Sequence, residues 1–372
     1  MSNLAFERPE DFLNVLFGSN SKENLMLFDN STGYPLAYLY NDTKTFFVIR
    51  LITPFLMVSF NSYLIATILF AWVSYIGIWK LYLLFCSYYK ELSFHFAVAI
   101  LYLPSAVFWG SGLLKDTITL SCTCWLVYAI HQVFIKKESK LINIFVIAIS
   151  GMLALSIKPY IVIALMPGAI SWILYQRISN IRNKVLKYAS IPLIYVASVG
   201  IGLLVMTVLG SYLDKFSLDK LINTAVVTQN DLKQDYYHGN SFDIGTLDPS
   251  VGGLLSKFPV ATIAGIYRPF LWDANNAVML VSALENTFIL AVTLYLLIRI
   301  RFKRLLGIIF NNPLLLFSLS YSLLLAYSVG LSTSNFGALV RFKIPYLSFF
   351  MCSLFIMNYY LIDRKNLSLS RS

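Results

Sequence analysis

Long uninterrupted apolar stretches dominate this chain, and short polar and charged clusters separate them. Runs over 61–88, 94–113, 117–135, 141–157, 160–176, 187–210, 276–299, 312–331 and 342–362 are each of a length to cross, or nearly cross, a hydrocarbon core of about 30 Å, which takes about 20 helical residues. They are continuously apolar and do not alternate as lipid-facing strands would. The pattern therefore predicts helices, not a barrel, in an all-α polytopic membrane protein of about nine spans. The pair 141–157 and 160–176 is short, which suits tilted or partly re-entrant helices.

Between these runs the organisation is uneven. Residues 1–60 form an outer-face segment ending in a juxtamembrane helix over 44–60, which contains Arg50 and Pro54. Residues 61–210 make a six-helix half and 276–362 a three-helix half. A large loop at 211–275 lies between them, and a Ser-rich basic tail follows at 363–372. Within the loop, Leu213, Phe216, Leu221, Ile222, Ala225 and Val226 recur at helical spacing opposite Asp214, Lys215, Asp219 and Lys220. This predicts an amphipathic helix on the membrane surface over 211–227. Residues 228–250 read as a soluble excursion. Residues 258–272 are apolar but Pro-interrupted and short, so they are expected to re-enter or lie in the interface with Tyr267, Phe270 and Trp272 at headgroup level.

Charge sets the orientation. The chain has 372 residues, 58% of them hydrophobic and 13% charged, with a net charge of +11 and a mean hydropathy of +0.70. One set of loops carries 16 of the 29 Lys and Arg, among them Lys90, Lys136, Lys140, Arg177, Arg299 and Arg304, against Glu91, Glu138 and Asp363. The other side is close to neutral. By the positive-inside rule the basic side is cytoplasmic, so the positive balance faces anionic lipid and not nucleic acid. Nine spans then put the C-terminus inside and residue 1 outside. Because residues 1–45 lack the basic and apolar regions of a signal peptide, a helix preceding residue 1 is expected. The four cysteines, Cys86, Cys122, Cys124 and Cys352, lie in or beside spans without a paired spacing, and read as small packing residues.

This orientation brings every unusual polar cluster to the outer face. In FWGSGLLKD (108–116), Asp116 reads as a helix-start carboxylate favoured by free N–H groups and the helix dipole. Lys115 either snorkels or meets a phosphate beside a glycine-relaxed turn. Lys158 sits in the minimal turn of KPY (158–160), a snorkelling lysine on its own and a second cation beside Lys115. In YRPFLWD (267–273), Arg268 lies between aromatics ahead of a proline, and a guanidinium suits bidentate recognition of phosphate. Glu285, about three turns into an apolar span, costs several kcal/mol unless paired or solvated, which makes it a candidate functional group. The other reading is a hydrogen-bonded packing residue beside Asn286. In NFGALVRFK (335–343), Arg341 and Lys343 sit in the first turns of the last span, where cations oppose the dipole. An anionic partner accounts for them. Asp29, Asp42, Asp273 and Glu285 supply carboxylates able to act as a base or to hold a divalent cation. No P-loop, HExxH, GxSxG or dinucleotide fingerprint occurs.

With the PSAVFWGSGLLKD hairpin, the RPFLW segment before a span and the NFGALVRFKIP start of the last span, the chain resembles bacterial multi-spanning glycan-assembly proteins. These are the C-type glycosyltransferase fold and the O-antigen or capsule repeat-unit polymerases. The resemblance covers most of the chain by architecture. It implies a polyprenyl-phosphate- or polyprenyl-diphosphate-linked sugar as donor, a glycan acceptor, a site at the outer leaflet of the bacterial cytoplasmic membrane, and no nucleotide. It also implies that an acid of the first outer loop, Asp29 or Asp42, acts as general base or binds metal, and that Arg268 and Arg341 hold the lipid phosphate. An Asp-x-Asp pair in that loop is lacking. The reading from another class is a transporter or flippase for lipid-linked sugars or another anion. That reading predicts broken helices in paired halves and polar groups at the midplane.

Overall fold

The computed structural model describes residues 1–179, 181, 183, 185–186, 189–190, 192–194, 196–197, 200, 227, 241–245, 248 and 250–369. Among them regular structure is entirely helical, apart from one isolated antiparallel bridge between Ser241 and Asn335. Among the described residues, six helices are long and apolar enough to cross a membrane: α6 (Tyr63–Tyr88), α9 (Lys115–Lys136), α10 (Lys140–Ile157), α14 (Ala277–Arg299), α16 (Pro313–Ser332) and the Phe336–Ile362 part of α17 (Phe336–Leu369). A seventh crossing is made if α7 (Lys90–Leu101) and α8 (Pro104–Gly110), bent by 47° at their junction, count together.

The nine expected runs therefore meet different fates. The run at 94–113 breaks because Pro104 cannot continue a helix and instead starts α8. The run at 160–176 is a helix, α11 (Pro159–Ser179), but its apolar portion, Pro159–Tyr175, is shorter than a full crossing. The run at 187–210 and the amphipathic helix expected at 211–227 lie for the most part outside the described residues. Within residues 258–272 a short helix, α13 (Phe258–Tyr267), follows the six-residue α12 (Val251–Ser256) and packs against α16. Ala261, Ala264, Gly265 and Ile266 are buried on the packed face, whereas Val260 and Ile263 on the other face, and Trp272 beyond the helix, are exposed.

Two glycines explain that docking. A Cβ on Gly330 of α16 would meet the Ala261 carbonyl oxygen at 1.9 Å, and a Cβ on Gly265 of α13 would meet the Ala326 carbonyl oxygen at 2.2 Å. The backbones touch, as small residues permit in membrane bundles. Around this contact α17 is the central helix, 83% of its apolar window buried, against 22% for the peripheral α10.

The first 60 residues fold as four short helices, α1 (Ser2–Glu7), α2 (Pro9–Phe17), α3 (Lys22–Leu25) and α4 (Ala37–Asn41), followed by α5 (Thr43–Val58). Leu4, Phe12, Val15, Phe28, Tyr40 and Phe46 make their core. Arg50 of α5 ties this unit down by donating to the carbonyls of Val15 and Gly18 and to the Asn20 side chain.

The bundle has two chemically distinct ends. One gathers the start of α9, the α10–α11 junction and the start of α17. The other gathers Tyr89, Asn312 and Tyr360, whose hydroxyls and amide interlock at 2.8 and 3.0 Å. Near it lies the short amphipathic α15 (Phe302–Asn311), whose Arg304 donates to the Tyr360 carbonyl.

The glycine contact yields a test. Gly330→Ala is expected to lower the thermal midpoint in detergent, because overpacking of this kind costs about 1–3 kcal/mol. Gly307→Ala in α15 meets nothing within 4 Å, so it is expected to leave the midpoint unchanged or raise it slightly, helix propensity favouring alanine by about 1 kcal/mol.

Candidate functional site

At the first end a single buried carboxylate organises its surroundings. Asp116 is 1% exposed. Its Oδ1 accepts from Lys158 Nζ at 2.6 Å, and its Oδ2 accepts from Arg341 Nε at 3.0 Å and Nη2 at 2.8 Å. Three elements meet there. Asp116 lies in the first turn of α9, where free N–H groups and the dipole favour an acid. Lys158 occupies the single-residue junction between α10 and α11, its own N–H bonded to the Ala154 carbonyl and Pro159 opening the next helix. Arg341 stands on the second turn of α17.

Aromatic faces hold both cations in place. The Phe342 ring lies 4.3 Å from Lys158 Nζ, and the Trp109 ring 5.1 Å from the Arg341 guanidinium. The two cations differ in access. The Lys158 side chain is 8% exposed, whereas that of Arg341 is 35% exposed. Two of the five guanidinium donors, Nε and one on Nη2, go to Asp116. Arg341 therefore keeps an open side with donors for another anion.

Lys115 turns the other way. Its Nζ pairs with Asp42 Oδ2 at 2.8 Å on the exposed surface. Asp42 caps α5 by accepting from the Lys44 N–H, and it also accepts from the Thr45 hydroxyl. Partial burial pushes this carboxyl upward. The Lys115 ammonium, the Thr45 hydroxyl and the Lys44 N–H outweigh that and hold it at about 2.

Two of the expected ligands do structural work instead. Lys343 is 1% exposed, and its ammonium donates to the carbonyls of Ile266 and Arg268 at 2.9 and 3.0 Å and to Asn286 Oδ1. All three of its N–H bonds are spent, partly on the C-terminal carbonyls of α13, so none is left for a lipid phosphate. Glu285 accepts from the Ser105 N–H at 2.9 Å and its hydroxyl at 2.7 Å. A carboxylate on the N-terminus of α8 is favoured by the helix dipole. Here it pins the segment that carries Trp109, which is the packing reading and not the catalytic one.

Arg268 lies next to this network through its backbone carbonyl, and its guanidinium sits over the rings of Phe242 and Phe270 at 5.1 and 5.6 Å. Among the described residues no carboxylate pairs with it. Asp273 closes its own turn by accepting from the Phe270 N–H. Asp29 joins none of these groups. Its carboxylate accepts from the Thr32 and Ser31 N–H groups, the Ser31 hydroxyl and Arg8. The Thr32 and Ser31 hydrogen bonds, with smaller help from Arg8, hold it down at about 2.

Sequence reasoning assigned Asp116 the role of an ordinary helix cap and so missed the centre of the site. The signal was present: two cations, at 158 and 341, stand at the ends of apolar helices and need a carboxylate at the same depth. Asp116 is the acid that opens a span on that side. For a divalent cation, no group of three His, Cys, Asp or Glu side chains is found among the described residues. No protein-family model, no curated protein and no solved structure matches the chain.

Chemically, the end presents five cations against the carboxylates of Asp42, Asp116 and Glu285. Lys115 is spent on Asp42 at the surface, and the donors not committed to a carboxylate are those of Arg268 and the open side of Arg341. Breaking the buried pair by Asp116→Ala is expected to cost about 3–5 kcal/mol of stability, because Lys158 is left charged and buried. Asp116→Leu combined with Lys158→Met should recover much of that in a denaturant titration of the detergent-solubilised protein. Single and double variants that unfold alike would contradict the pairing.

The Asp42–Lys115 pair has its own pH signature. A carboxyl held below its ordinary 3.8 stabilises fully above that value and loses the contribution as pH falls through about 2. Lys115→Met is expected to move the Asp42 titration upward, followed by the infrared carboxylate band. An unmoved midpoint would show that Lys115 does not hold it.

Proposed function

We propose that the protein is a multi-pass membrane glycosyltransferase or repeat-unit polymerase that takes sugar from a polyprenyl-phosphate or -diphosphate carrier at the outer leaflet of the bacterial cytoplasmic membrane. The observation that carries this reading is Arg341, fixed by buried Asp116 and Trp109 yet open on one side at the end of a membrane bundle. Orientation supports it as well. Lys136, Lys140, Arg177 and Arg299 sit at the far ends of α9, α10, α11 and α14, which the positive-inside rule makes cytoplasmic.

The chemistry follows from the two exposed charged groups. A phosphate arriving at Arg341 competes with Asp42 for Lys115. As Lys115 turns to the phosphate, Asp42 loses the charge that depresses its pKa and becomes a stronger base. Its carboxylate takes the proton from an acceptor hydroxyl as that oxygen bonds to the anomeric carbon. The bond from anomeric carbon to phosphate oxygen breaks, and its electron pair leaves with the lipid phosphate, which Arg341 and Lys115 stabilise. Lys158 acts one step back, sharing Asp116 so that Arg341 is positioned without being fully neutralised.

Arg341→Ala and Arg341→Lys, assayed as surface glycan together with lipid-linked precursor, test the reading. Loss of glycan with precursor gathered at the outer leaflet, at normal protein levels, is expected for alanine. The lysine variant should also fall, about tenfold or more, since a point charge replaces a bidentate fork. Precursor held at the inner leaflet would favour a flippase. Unchanged glycan in both variants would remove Arg341 from the phosphate site.

A further inference from the structure

A lateral groove of about 350 Å³ lies between α5, α6, α9 and α10, lined by Leu51, Phe55, Ile118, Trp125, Phe145 and Ile149 among others. Its size falls within the usual range for ligand sites, roughly 300–1,000 Å³. Three of its four walls are helices long and apolar enough to span a membrane, and its lining residues belong to them and to α5. It opens sideways past Val73, Phe145 and Ile149, which are exposed.

The lining is mostly apolar, with Ser74, Ser121, Ser150 and the Trp125 indole as its few polar groups. Ser121 gives its hydroxyl to the Ser74 carbonyl at 2.8 Å, and Ser150 gives its hydroxyl to the Val146 carbonyl at 2.5 Å. With those two hydroxyls satisfied inside the protein, most of the surface left to a ligand is hydrocarbon. The groove is also in register with the charged end. Lys115, Ile118, Cys122 and Trp125 follow one another at i, i+3, i+7 and i+10 along a single stripe of α9. A rise of 1.5 Å per residue places Ile118 about 4.5 Å, and Trp125 about 15 Å, below Lys115.

We infer that this groove seats the hydrocarbon chain of the polyprenyl-phosphate lipid whose phosphate is held at Lys115 and Arg341. The inference rests on the lipid-phosphate reading above and deepens it. The phosphate is anchored at the mouth by opposite charge, and the chain runs inward along the α9 stripe between α5 and α10. This gives α5 a purpose beyond bracing the first 60 residues. Its start carries Asp42, the partner that Lys115 must leave, and its second half forms one wall of the groove.

The full chain in phosphatidylcholine nanodiscs provides the test, with undecaprenyl phosphate bearing a diazirine on its chain as one probe and diazirine-labelled phosphatidylglycerol as the other. The expected result is polyprenyl adducts on Phe145, Ile149 or Trp125, about tenfold above those from phosphatidylglycerol, equivalent to about 1.4 kcal/mol of preference. Ile149→Trp should abolish most of that labelling. Leu284→Trp, on an exposed face of α14 away from the groove, should not. Thermal melts confirm that both variants fold.

Equal labelling by the two probes would make the groove a berth for bulk acyl chains and overturn the inference. Sugar transfer that continues without groove adducts would also overturn it, while leaving the proposed function standing. Groove adducts in a protein that transfers no sugar would support the inference and count against the transferase reading alone.

Discussion

One ion-paired cluster holds the functional end of this protein together: a carboxylate with almost no access to solvent, shared by two cations from different parts of the chain. Asp116 brings the start of α9, the α10–α11 junction and the start of α17 to one point. A lone carboxylate at that depth would cost several kcal/mol, and so would the buried Lys158. None of the three helix ends can withdraw without stranding a charge. The fold therefore imposes the meeting of residues 116, 158 and 341, which lie far apart in sequence.

A second polar network braces the first without taking part in it. From adjacent positions on α14, Glu285 holds the N-terminus of α8 and Asn286 holds Lys343, which in turn caps α13. Asn286 also reaches the Pro269 carbonyl through its amide, at 3.0 Å. α14 thus sets the height of Trp109, through α8, and the position of the Arg268 backbone, through Lys343. The division of labour follows access. Groups with every donor or acceptor spent, Lys343 and Glu285, maintain geometry. Groups with an open side, Arg341, Lys115 and Asp42, are the ones that can exchange partners.

Much of this was legible in the sequence, and the reasons for the rest are physical. Long apolar runs identified α6, α9, α10, α14, α16 and the first part of α17, because hydrophobic length leaves little alternative. They could not show that one face of 258–267 packs tightly against α16. That depends on Gly265 and Gly330 facing one another across a contact between distant segments. The cation cluster at one end was visible from the charge pattern. Its internal pairing was not, since the same lysine or arginine at a helix end can snorkel, cap carbonyls or bind an anion. Lys343 became a cap and Arg341 stayed open, although they stand only two positions apart, because successive helical positions face different neighbours. Glu285 was singled out correctly as unusual. Its partner, the N-terminus of α8, appears only when Pro104 breaks the run that hydropathy joins.

The claim that an open, Asp116-anchored Arg341 receives a lipid phosphate is tested most directly by phosphorus-31 NMR of undecaprenyl phosphate in nanodiscs containing the purified chain. The phosphate resonance is expected to shift with the wild-type protein and with Arg299→Ala, at the opposite end of the bundle, and to return to its free position with Arg341→Ala. The same shift in Arg341→Ala as in the wild type, or its loss in Arg299→Ala alone, would rule out Arg341 as the phosphate's anchor.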